Sequence, residues 1–114
     1  MSQITDDYMQ SMLKLLKPYT VVLLRATPKR KEPGADQIVW EHGRRLFELR
    51  RDRKLCIVCP TFTSNTSGVS GLMIFRTDTE ETRKIMDDDP TIRAGIYTYD
   101  LFPVEGYPGD SLAK

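Results

Sequence analysis

The chain has 114 residues, the length of one ordinary domain. Its 17 basic and 16 acidic residues nearly cancel, which excludes a global attraction to nucleic acid, membrane surfaces or acidic substrates. No apolar run is long enough to cross a bilayer. The start, Met1-Ser2-Gln3-Ile4-Thr5-Asp6-Asp7, lacks the basic and apolar stretches of a secretion signal, so a cytoplasmic protein is expected.

Residues 5–17 read as a short amphipathic helix, within an N-terminal segment 1–18. Thr5 or Asp6 can cap it, and Asp7 lies in the first turn, where the helix dipole favours an anion. Tyr8, Met9, Met12, Leu15 and Leu16 form its apolar face, and Pro18 ends it. Tyr19–Leu24 is a β-branched and apolar run, hence a buried strand. Pro28–Gly34 is a polar loop.

Residues 35–53 form the strongest predicted helix. Ala35, Ile38, Val39, His42, Leu46 and Leu49 fall on one stripe, opposite Glu41, Arg44, Glu48, Arg51 and Asp52. Trp40 and Phe47 make a second small apolar patch, a seat for the N-terminal helix. Leu55–Cys59 is the second strand, Pro60–Gly68 a polar loop and Val69–Phe75 the third strand. A second helix opens at Thr77-Asp78-Thr79-Glu80, with Thr77 and Glu80 at capping-box spacing. It closes at Asp87-Asp88-Asp89-Pro90, because proline disfavours a helical residue before it. Ile92–Gly95 is a turn and Ile96–Phe102 the fourth strand. Residues 104–114 read as a tail, with Tyr107 between Gly106 and Pro108 as an anchor.

After the N-terminal helix the order is β-α-β-β-α-β, residues 19–103. That order predicts an α+β, ferredoxin-like domain: a four-stranded antiparallel sheet with its helices on one face. The second and third strands are too apolar for the other face to stay in water. A second subunit or the N-terminal helix should cover it.

Cys56-Ile57-Val58-Cys59 is a CxxC, but it lies on a strand, where residues three apart point to opposite faces. Two buried cysteines used as small apolar residues are expected, with no metal site. Ser64, Ser67 and Ser70 sit in or beside a loop without the strand–turn–helix elbow of a nucleophilic serine. The basic residues of the long helix interleave with Glu41, Glu48 and Asp52, which reads as a solvated surface rather than a nucleic-acid face. Arg50 and Arg53 fall at the edge of the apolar stripe, within reach of an anionic ligand at the rim.

His42 is the only histidine, and it stands in the middle of the apolar stripe. His42 leads through Leu46 and Leu49 into Arg53-Lys54-Leu55 and a strand ending at Pro60. Asp89-Pro90, Ala94-Gly95-Ile96-Tyr97 and Phe102-Pro103 follow. This order resembles the YciI-like family. The resemblance implies a dimeric α/β barrel, in which two ferredoxin-like subunits join through their sheets. It also implies a pocket built around a His–Asp pair, here His42 and Asp89. Tyr97, Arg25 at the exit of the first strand and Pro60 are then the candidate substrate-binding residues. Some relatives are similar to cofactor-free enzymes acting on chlorinated or hydroxylated aromatic intermediates. The implied activity is lyase, isomerase or dehydrochlorinase chemistry on a small aromatic or carbonyl compound, with no cofactor. The alternative is a non-catalytic ligand-binding or accessory domain in which His42 is structural. Cys59 stands where the family has glycine, and the first-strand exit lacks the family's acidic residue.

Overall fold

Lys17–Ala26, a run of mostly β-branched and apolar residues, forms β1, the long strand that pairs with neighbours on both sides. The computed structural model describes residues 3–62 and 65–114; Met1, Ser2, Thr63 and the loop serine Ser64 lie outside them. α1 (Asp6–Leu13) precedes β1. α2 (Ala35–Arg51) follows it, then β2 (Leu55–Pro60), β3 (Gly71–Phe75), α3 (Thr79–Asp87), the short α4 (Pro90–Arg93) and β4 (Tyr97–Gly106). The sheet order is β2-β3-β1-β4 with every neighbouring pair antiparallel. This is the predicted split β-α-β topology. Among the described residues no helix is long and apolar enough to cross a membrane.

The register sorts the sheet into two faces. Val22, Leu24, Met73, Phe75 and Leu55 point toward the helices and make one core with Leu46, Ile85 and Met86. Val21, Leu23, Leu72, Ile74, Ile57 and Phe102 alternate with them and face the other way. Among the described residues no helix is packed on this second face: Leu23, Leu72, Ile74 and Ile57 are only half-buried and Phe102 is exposed.

Three expectations are corrected here. The first helix stops at Leu13, and Lys17 and Pro18 already belong to β1. Pro18 is tolerated because β1 pairs with β3 only over 20–24, so at Pro18 the strand has β4 as its sole neighbour. α1 buries no residue, and Trp40 and Phe47 are about two-thirds exposed, so the helix covers neither that patch nor the open sheet face. β4 runs past Phe102 through Pro103 to Gly106, so the first residues of the predicted tail are strand. An edge strand can hold Pro103.

Smaller differences have local causes. Asp78, not Thr77, caps α3, its side chain accepting from the Glu81 N–H at 2.8 Å. Thr77 bonds to Thr82 instead, at 2.7 Å between their hydroxyls. A bulge between Leu55 and Ile57 breaks the alternation of β2. Cys56 is therefore exposed rather than buried, Cys59 is half-buried, and both are free. The helix α4 runs from Pro90 into the first half of the predicted turn Ile92–Gly95, with Asp89 as its N-cap.

Candidate active site

α2 lies on the helix-side face of the sheet because its stripe of Ala35, His42 and Leu46 is buried there. His42 comes from the middle of that stripe and is 6 % exposed. Asp89 comes from the turn between α3 and α4 and is fully buried. The two meet at 2.8 Å, His42 Nδ1 to Asp89 Oδ2.

Asp89 stands where it does because Pro90 forces it out of helical geometry, to φ −74° and ψ 135°. Proline then occupies the first turn of α4, where its missing N–H costs nothing. The Thr91 N–H donates to Asp89 Oδ1 at 2.9 Å, and the Thr91 hydroxyl donates to the same oxygen at 2.5 Å. Arg45, one turn beyond His42 on α2, donates to Oδ2 from Nη1 at 3.4 Å and lies 3.9 Å from Asp88. Both carboxylate oxygens are thus engaged.

The C-terminal end of α3 is unfavourable for an anion, but Asp89 belongs electrically to the start of α4, whose free N–H groups it caps. Burial works against its charge. The His42 hydrogen bond and charge, then the Thr91 hydroxyl and N–H, outweigh burial and hold the carboxyl below its ordinary value. An ionised carboxylate only accepts, so a neutral His42 must carry its proton on Nδ1. The lone pair then sits on Nε2, which has no hydrogen-bond partner among the described residues.

The ring forms part of the wall of a cavity of about 360 Å³ between α2 and the ends of β2 and β3. Leu24, Val58 and Met73 contribute apolar floor, Leu46 and Phe47 the helix wall, and Pro60 the end of β2. Tyr97 lines the same cavity, its ring edge-on to His42 at 5.7 Å and 65°. Arg30 stands behind Tyr97: Asp36, at 2.7 Å, and then the Tyr97 hydroxyl hold its guanidinium above its ordinary pKa.

Four of the five sequence-predicted residues, His42, Asp89, Tyr97 and Pro60, therefore come together. Arg25 does not. It pairs with Thr98 of β4 on the open face, where its guanidinium meets Asp100 at 3.2 Å. The alternation of β1 explains this, since the neighbouring Leu24 points toward the helices and Arg25 must point away. Sequence reading missed Arg45 and Thr91. Arg45 was sorted with the solvated helix surface, although its spacing of three from His42 put both on one side. Thr91 fell between the predicted helix end at Pro90 and the predicted turn 92–95, in no element, although Asp-Pro-Thr is a helix start with a capping aspartate.

No family model matches the chain, and no curated protein matches it. Among solved structures it is similar to a 5-chloro-2-hydroxyhydroquinone dehydrochlorinase from Burkholderia phenoliruptrix AC1100, in complex with 2,5-dihydroxybenzoquinone. The TM-score is 0.51 at 14 % sequence identity, covering 74 % of this chain and 90 % of that one. Such a likeness speaks for the fold alone. This chain has the subunit fold of the dimeric α/β-barrel proteins, a four-stranded antiparallel sheet with helices on one face.

Proposed function

We propose that the chain is a YciI-like, cofactor-free enzyme that moves a proton on a small aromatic or carbonyl compound, with His42 as acid–base and Asp89 as its orienting partner. The observation that carries the reading is the buried 2.8 Å contact between His42 Nδ1 and Asp89, with the other side of the ring toward the cavity. Asp89 fixes the tautomer and stabilises the imidazolium once Nε2 has taken a proton. Tyr97 and Pro60 bound the substrate. The dehydrochlorinase that shares the fold makes loss of a leaving group after proton abstraction a natural version of this chemistry. Residues 19–103 carry the site, with the N-terminal helix and the tail as additions. The working form is a cytoplasmic homodimer joined through the open sheet face, whose Leu23, Leu72 and Ile74 are only half-buried among the described residues.

Solvent deuterium exchange tests the reading. Small hydroxylated aromatics and carbonyl compounds, 2,5-dihydroxybenzoquinone first, are incubated with protein in D2O and followed by proton NMR. The wild type should wash out a ring or α-carbon proton from at least one of them. His42→Gln should slow that exchange by about 100-fold or more, the size of a general-base contribution. An unchanged rate in His42→Gln would remove the imidazole from the chemistry.

A second reading has its own observation. Asp89 ties His42 of α2 to Thr91 of α4, so the pair also clamps two helices together. A non-catalytic ligand-binding domain would use it for that alone. It predicts saturable binding with no exchange, and a His42→Gln variant altered in stability only.

A further inference from the structure

Among the described residues the cavity carries no acidic side chain, and Arg50 is its only permanently charged group. Asp89, beside His42, is already engaged by Arg45 and by the ring. Arg50 is different. It is exposed at the cavity wall and enters no ion pair among the described residues. Its neighbours on the helix behave otherwise, Arg51 pairing with Asp52 at 3.0 Å and Arg44 with Glu41 at 3.1 Å. Asp110 of the tail borders the adjoining groove that Arg50 also lines, but no ion pair joins them.

Arg50 lies eight residues beyond His42 on α2, which at the helical rise is about 12 Å along the axis. The cavity is therefore a trough with a base at one end and a guanidinium at the other. Leu24, Leu46, Val58 and Met73 line the same cavity. An anion that reaches Arg50 meets no competing carboxylate in the cavity lining among the described residues. The planar fork of Arg50 fits a carboxylate or phenolate at two points.

Resting on the acid–base reading of this cavity, we infer that its ligand is a small, largely apolar organic anion. Arg50 holds the anionic group and His42 faces the reacting end. Arg50 thereby sets specificity and takes no part in proton transfer.

The test uses two probes of one shape, 3-(4-hydroxyphenyl)propanoate and its neutral amide. Each is titrated into the full chain while the imidazole signal of the sole histidine is followed by NMR. The acid should saturate the His42 shift at a concentration about tenfold or more below the amide. Arg50→Gln should bring the acid down to the level of the amide and leave the amide unchanged. Arg51→Gln, one residue along and outside the trough, should keep the preference. Equal affinities in the wild type, or a preference surviving in Arg50→Gln, would overturn the inference while leaving the acid–base site standing. No movement of the His42 signal by either probe would overturn both.

Discussion

Asp89 does two jobs through its two oxygens. Oδ1 holds the start of α4 through Thr91, and Oδ2 holds the imidazole. Replacing it with alanine leaves a buried ring and a buried hydroxyl without their acceptor. We expect Asp89→Ala to cost about 3–5 kcal/mol in urea unfolding at neutral pH, the range for breaking a buried charged pair. The folded-state carboxyl titrates below its ordinary value, so its contribution is present above the unfolded-state pKa, about 3.9. The contribution is lost as pH falls through the folded-state value. The gap between wild type and Asp89→Ala should therefore shrink in strong acid. A gap that grew as the pH fell would contradict the assigned charge. Tyr99 offers a second titration. Burial, and then its 2.6 Å hydrogen bond to Asp87, push its phenol up to about 12. A near-ultraviolet pH titration should show a late tyrosine, and Asp87→Asn should bring it earlier. At this scale the sequence was legible in part. The family pattern singled out His42 and Asp89 as partners, but their other contacts were not written in any local pattern. Arg45 looked like one of many helix-surface cations, and only the fold shows which of them reaches a buried acid.

The elements were legible where one face is buried and obscure where none is. α2 was readable because its apolar stripe meets a sheet, and β1 and β3 because they are short apolar, β-branched runs that the sheet then splits between two surfaces. α1 was readable as a helix but not as an exposed one. Its apolar residues look like a core face, and nothing local says that the helix packs on nothing within the chain. The two helices should thus respond differently to truncation. Leu46→Ala on α2 should cost about 2–5 kcal/mol in chemical unfolding, since Leu46 belongs to the core cluster. Leu13→Ser on α1 should change stability by less than about 0.5 kcal/mol, since Leu13 is exposed. A comparable loss from both would mean that α1 is packed in solution. β4 was cut short by Pro103, which reads as a strand end. It continues because it lies at the sheet edge, a fact of topology rather than composition.

The whole molecule is a half-covered sandwich. One face of the sheet carries the helices and the cavity, and the other carries Leu23, Leu72, Ile74 and Phe102 without a cover. Exposed apolar faces of this kind often mark association surfaces, which is what the homodimer reading proposes here. On the homodimer reading, Ile74→Lys should halve the mass measured by light scattering while the circular dichroism of the fold persists. A single-chain mass for the wild type would end that reading. Topology was the most legible level, because the order of elements leaves few ways to close one sheet. What touches the open face was least legible, since the chain alone holds no second surface to match it. The site rests on one proton, the one shared between His42 and Asp89, and the most direct test is nitrogen NMR of the single histidine at a pH where the ring is neutral. The proton should reside on Nδ1, leaving Nε2 with the chemical shift of an unprotonated nitrogen facing the cavity. A ring carrying its proton on Nε2 would contradict the pairing and leave the cavity without its base.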